Sequence, residues 1–211
     1  QHLAVQMGYM YRYSPAVLFM RDALAKGWLG EPFEVQTVMS KVIPLQRRPE
    51  LAEYKGGMMF ELGCHIIDLV VGALGEPTKV TPYRQKALPT DDTLADNMLA
   101  VFEYPRALAT VKSTGLEVEG GARRHFTICG TEGTCHIQPL DAPDVLLALS
   151  KDQGNYRRGY QRIEFGDYPR YVGDAADLAK VIRGEKDADF SYEHDLAVQR
   201  TVLSACGLPL T

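Results

Sequence analysis

The chain has 211 residues, 45% hydrophobic and 24% charged, with 23 basic against 27 acidic side chains and a formal net charge of −4. That length can bury a core without metals or disulfides, and the negative balance gives no electrostatic case for nucleic acid or an anionic membrane. No apolar run approaches the roughly 20 residues a membrane span needs, and the composition is not that of a coiled coil, collagen or low-complexity disorder.

Residues 3–13 are rich in β-formers and predict a strand. Ser14-Pro15 then supplies an N-cap and a proline for the first helical position. The helix runs to about Lys26, with Val17, Met20 and Leu24 on one face and Gly27 as a stop. Residues 33–43 alternate as a half-buried strand, and 44–55 form a polar loop. Gly56-Gly57 opens a second helix, to about Leu74, followed by a strand from Thr78 to about Leu88. After the acidic turn Asp91-Asp92 come strands at 95–104, 107–115, 124–129 and 134–138, with Gly130-Thr131-Glu132-Gly133 as a tight hairpin. Strand-like pieces continue at 144–149 and 160–165. Helices at about 173–184 and 192–206 close the chain, the second capped by Ser191.

Hairpins lie between helices, without βαβ alternation. The class is therefore α+β, a mostly antiparallel open sheet with helices on one face, in one domain over 1–211. Leu-Gly-Glu-Pro occurs at 29–32 and 74–77, each time between a helix and a strand. It reads as punctuation, because Gly stops a helix and Pro prevents its continuation. The chain begins at Gln1 without a signal-peptide pattern, and an upstream part is expected. Cys64, Cys129, Cys135 and Cys206 form no C-x-x-C pair, so free thiols in a reducing cytoplasm are expected.

No G-x-G-x-x-G, Walker A, G-x-S-x-G or H-E-x-x-H motif is present. The second helix holds the best constellation. On an α-helical wheel Glu61, His65 and Asp68 fall at i, i+4 and i+7, within roughly 60° of one another. Nearly all other positions there are apolar, so this stripe is either a solvent strip or the floor of a cleft. In a cleft, a neutral imidazole with an acid one turn away could take a proton from a substrate hydroxyl. A solvated Glu–His pair is the plainer alternative. A zinc site lacks another obvious ligand, and no metal is expected. Tyr9, Tyr11 and Tyr13 would share a face of a regular strand, with Arg12 beside them. Tyrosine hydroxyls and a guanidinium suit a polyhydroxylated ligand, while the pattern alone favours cross-strand packing with Arg12 capping or pairing. Lys41 lies near a strand end, where it could face a ligand. Arg123-Arg124-His125 reads as a solvated face.

Gly8-Tyr9-Met10-Tyr11-Arg12-Tyr13-Ser14-Pro15 resembles the opening of the second domain of the Gfo/Idh/MocA oxidoreductases. Gly56-Gly57 through Glu61, His65 and Asp68 resembles that family's Gly-Gly…Asp-x-Gly-x-His-x-x-Asp helix, with Glu61 in place of its first acid. The hairpin and the closing helix pair fit too. The resemblance implies a GAPDH-like C-terminal domain whose dinucleotide-binding Rossmann domain lies outside this chain. It implies NAD or NADP in the complete protein, with none bound by this fragment alone. The reaction implied is hydride transfer on a sugar, cyclitol or related alcohol. The resemblance puts catalytic roles on His65 and Glu61 and substrate contacts on Met10, Tyr11, Arg12 and Asp68, with a structural role as the alternative for the last two; Lys41 joins the substrate contacts from its place at the strand end. The open sheet face implies a homodimer or homotetramer. An NAD-dependent glycoside hydrolase on the same scaffold, and a non-catalytic oligomerisation or sugar-binding module, stand as alternatives.

Overall fold

The computed structural model describes residues 3–166 and 168–210. Its centre is an eight-stranded open sheet. In chain order the strands are β1 (Pro32–Ser40), β2 (Lys79–Gln85), β3 (Asn97–Glu103), β4 (Leu108–Thr114), β5 (His125–Gly130), β6 (Gly133–Ile137), β7 (Asp144–Leu149) and β8 (Gly159–Glu164). They lie in the order β2-β3-β4-β1-β5-β6-β7-β8. Every neighbouring pair is antiparallel except β1 and β4, which run parallel from Glu34 beside Leu108 to Ser40 beside Thr114. A parallel pair needs a crossover, and the 67 residues from Lys41 to Ala107 supply it. That crossover carries the helix singled out by the sequence.

Strand alternation sets which face is buried. Val35, Thr37 and Met39 of β1, Met98, Ala100 and Phe102 of β3, and Ala109 and Val111 of β4 point into the core. Helices α3 (Cys64–Leu74) and α6 (Tyr192–Ala205) cover this half of the sheet, and α1 (Pro15–Ala25) reaches β6. Fully burying an aliphatic side chain such as Ile66 or Ile67 of α3 contributes roughly 1.5–3 kcal/mol. On the opposite face Tyr83, Leu108, Leu146 and Tyr160 remain exposed.

Helix α1 opens at Pro15, whose fixed φ suits a first helical turn, although the Ser14 hydroxyl makes no cap bond. In α6 the Ser191 side chain accepts from the His194 N–H, as an N-cap does. Gly30 and Gly75 of the two Leu-Gly-Glu-Pro segments both take positive φ, 71° and 81°. At Gly30 a Cβ would also stand 2.4 Å from the Thr131 hydroxyl oxygen, so the first segment is locked against the β5–β6 hairpin.

Several expectations are corrected. Residues 3–13 form no strand, because their backbone bonds close locally. Tyr9 N–H donates to Met7 O, Arg12 N–H to Tyr9 O and Ser14 N–H to Tyr11 O, giving a turn before α1. The loop at 44–55 folds in part as a 3-10 turn (Leu45–Arg47) and a short helix α2 (Arg48–Ala52). It is anchored by buried Arg48, which donates to Asp92 at 2.7 Å and to Asp96 at 3.0 Å. Residues 120–123 make another short helix, α4 (Gly120–Arg123). The helix expected at about 173–184 is present as α5, Val172–Ile182. The expected free thiols are found: Cys129 pairs in register with Thr134 and Cys135 with Ile128, so the two are not opposite each other, and all four cysteines are free.

Candidate active site

The helix expected from Gly56 to Leu74 begins with a π-turn, Met59–Gly63, and becomes α-helical at Cys64. Its start is pinned to the sheet. Met58 N–H donates to Ala95 O at 3.0 Å, and the buried Ser113 hydroxyl lies 3.0 Å from both Met58 O and Met39 O. A π-turn inserts a residue into the helical count, and such turns recur at functional sites. Here it splits the polar stripe. Glu61 turns toward the end of β1, and Asp68 turns toward α1 and α6.

At the end of β1 the Lys41 N–H bonds to Thr114 O at 3.1 Å, extending the parallel ladder by one residue. The Lys41 ammonium meets Glu61 Oε1 at 3.2 Å, and both side chains are about one-third exposed, at 33% and 34%. His65 is half-buried. Its ring is flanked edge-on by Tyr9, with centroids 6.0 Å apart, and by Tyr11, at 6.5 Å. Its Nδ1 is buried and has no hydrogen-bond partner among the described residues. Burial pushes the imidazole pKa below its ordinary value. The Asp68 and Glu61 charges pull it back up, and Lys41 and Arg124 press it down again. His65 is therefore neutral at pH 7, the form that accepts a proton. Beside it, the Cys64 thiol is pushed up to about 12 by burial and then by the Glu61 charge, so it does not compete as a nucleophile.

One helical turn after His65, Asp68 meets Arg12. Arg12 Nη2 reaches Asp68 Oδ1 at 2.6 Å and Asp195 Oδ1 at 2.5 Å, while Nε lies 3.1 Å from both Asp68 oxygens. The guanidinium sits over the Phe190 ring at 4.0 Å, and His194 Nε2 lies 3.3 Å from Asp68. Both partners are essentially inaccessible, at 1% and 2%. The pair ties the turn before α1 to α3 and α6, and neither side chain offers a surface to a ligand.

Met10 is half-buried, its carbonyl accepting from the Tyr168 hydroxyl at 3.3 Å. Tyr11 is buried, and its hydroxyl donates to Asp141 Oδ1 at 3.0 Å. Burial and the Asp141 charge raise the phenol pKa, so this hydroxyl keeps its proton. Tyr13 parts from the other two tyrosines and packs edge-on against Phe190, at 6.0 Å. The shared face expected for the three tyrosines is thus a correction, since a turn and not a strand carries them.

Two residues were missed as site neighbours. Arg124 was expected on a solvated face, yet its side chain is 13% exposed and donates to Asp141 at 2.7 Å and to Ser40 O at 3.1 Å. Asp141 follows β6 and carries no local motif. A cavity of about 660 Å³ borders Asp141, Pro143, Phe165 and Tyr168, and another of about 640 Å³ borders Met7, Phe60, Tyr192 and Leu196. Neither of these two is lined by His65 itself. No helix of the described residues is long and apolar enough to cross a membrane.

Known proteins share this architecture. A Thermotoga maritima structure superposes with a TM-score of 0.75 at 21% identity, covering 93% of this chain and 58% of that one. A levoglucosan dehydrogenase in complex with NADH and levoglucosan gives 0.74 at 18%, covering 95% and 63%. An NAD binding oxidoreductase from Klebsiella pneumoniae gives 0.71 at 19%, covering 91% and 60%. At such identities the likeness shows the fold, and the chain spans 58–63% of the length of these three. No curated protein matches the sequence. The model of the GFO/IDH/MocA C-terminal domain matches residues 17–136, a stretch that includes β1, the π-turn, His65 and all but the last residue of the β5–β6 hairpin. The open sheet, the crossover helix and this match agree, and the chain belongs to the GFO/IDH/MocA C-terminal domain family.

Proposed function

We propose that this chain is the substrate-binding and assembly domain of an NAD(P)-dependent dehydrogenase acting on a sugar, cyclitol or related alcohol. The observation that carries the reading is His65. It is a neutral imidazole held between two tyrosine rings, beside the Lys41–Glu61 ion pair, on the helix that the family match covers.

Oxidising an alcohol removes a hydride from carbon and a proton from oxygen. This chain handles the proton. His65 takes it from the substrate hydroxyl, and the imidazolium formed is supported by the Asp68 and Glu61 charges. Lys41 and Glu61, each partly open to solvent, orient neighbouring hydroxyls by donating and accepting hydrogen bonds. Met10 contributes an apolar wall. Arg12 and Asp68 serve from behind, bracing the His65 helix and not touching substrate. The described residues carry no glycine-rich strand-to-helix turn, so they do not fit the phosphates of a dinucleotide. The reading places NAD or NADP, which supplies the redox chemistry when bound, on a further domain of a longer protein. The levoglucosan dehydrogenase of this fold in complex with NADH supports a dinucleotide as the cofactor.

The exposed outer face of the sheet, with Tyr83, Leu108, Leu146 and Tyr160, supports assembly into a homodimer or homotetramer. The complete protein, assayed with NAD and NADP against a panel of sugars and cyclitols, is expected to reduce one dinucleotide stoichiometrically with substrate oxidised. Glycoside cleavage without net dinucleotide change, or no turnover across the panel, would overturn the reading.

A further inference from the structure

We infer that Asp141 and Arg124 are positioning residues for His65, acting through Tyr11. This rests on the acid–base role proposed for His65. A catalytic imidazole is usually oriented by a hydrogen bond at its second nitrogen. His65 has no such bond at Nδ1 among the described residues. What holds its ring is contact with the edges of Tyr9 and Tyr11, at interplanar angles of 85° and 77°. The orientation of the imidazole therefore depends on whatever fixes those two rings.

Tyr11 is fixed at its far end. Its hydroxyl donates to Asp141 Oδ1, and the other oxygen of that carboxylate accepts from Arg124 Nη1. Arg124 Nε in turn donates to Ser40 O, the last residue of β1 and the neighbour of Lys41. One chain of hydrogen bonds thus runs from the strand end that carries Lys41 to the ring that confines His65. Its members come from four separated stretches of sequence, so it sets the relation between the imidazole and the ammonium. Arg124 also adds its positive charge to the field on His65, alongside Lys41, Glu61 and Asp68.

The test compares Tyr11→Phe, Asp141→Ala and Asp141→Asn in two readouts. The first is the NMR titration of the His65 imidazole in the 211-residue chain, which needs no substrate. Tyr11→Phe keeps the ring and removes the tether, and Asp141→Ala removes its anchor. Both are expected to move the His65 resonances, and Tyr11→Phe, which leaves the surrounding charges in place, to raise its pKa toward the ordinary value as water reaches the ring. Asp141→Asn, still able to accept from Tyr11, is expected to keep the His65 resonances close to those of the parent. The second readout is steady-state kinetics of the complete protein, where the first two variants should lower kcat about tenfold to a hundredfold with KM within about twofold. A lowered Tm with unchanged His65 resonances, pKa and kcat would overturn the positioning role and leave the dehydrogenase reading intact. If the complete protein proves not to be a dehydrogenase, the titration still decides whether the tether orients His65.

Discussion

Arg12 and Asp68 face each other at 2.6 Å in the interior, one from the turn before α1 and the other from the middle of α3. The pair is closed to solvent and shared with Asp195 and His194. It ties the turn before α1 to α3, the helix that carries His65, and to α6. Removing one partner strands a buried charge. Asp68→Ala is expected to cost about 3–5 kcal/mol, read as a large fall in the denaturant midpoint at unchanged m-value. A loss under about 1 kcal/mol, the range of an exposed pair, would show that the pair does not brace the helix.

The burial of His65 has a pH consequence. Its folded pKa lies below the ordinary imidazole value, and the same holds for His125 on β5, also through burial. Below about pH 6.5 the unfolded chain binds protons that these folded histidines refuse, so stability is full above that pH and declines as pH falls. Each group contributes a slope of at most about 1.4 kcal/mol per pH unit. Denaturation at pH 5, 6 and 7 should show that decline, and His65→Gln should make it shallower. Identical slopes in parent and variant would contradict the burial of this imidazole.

Cysteine reactivity checks the interior around the site. Burial raises the Cys64, Cys135 and Cys206 thiols to about 12. Native-state alkylation at pH 8 followed by mass spectrometry should therefore leave these three unmodified, with Cys129 as the reactive position. Rapid modification of Cys64 would mean that the start of α3 is open.

Much of the fold is legible in the sequence. The alternation of β3 and β4, the Ser-Pro start of α1, the Ser191 cap and the two Leu-Gly-Glu-Pro junctions are all local signals. The turn at 10–13 was not legible, because Tyr, Met and Val suit a strand whether or not a neighbouring strand is there to bond them. The π-turn was invisible because nearly every residue around the polar stripe is apolar, so a one-residue shift in phase leaves no mark on the pattern. It is what separates Glu61 from Asp68, which the wheel had put on one stripe. The Tyr11–Asp141 bond joins positions 130 apart and Arg12–Asp68 positions 56 apart, separations at which no spacing argument operates.

The outer sheet face gives a further expectation. Leu146 of β7 and Tyr83 of β2 are 41% and 55% exposed on the outer face of the sheet. Light scattering of the parent should report a dimer or tetramer, and Leu146→Arg with Tyr83→Arg should shift it toward monomer at unchanged helical content. A parent that is monomeric at high concentration would remove the assembly role.

The central claim is that His65 carries the proton of the oxidised hydroxyl. The direct measurement is kcat/KM of the complete protein and its His65→Ala variant on the substrate identified by the dinucleotide assay, with circular dichroism to verify the fold. The account predicts a loss of about 10²–10⁴-fold with the fold retained. Turnover equal to that of the parent, on a correctly folded variant, would contradict it.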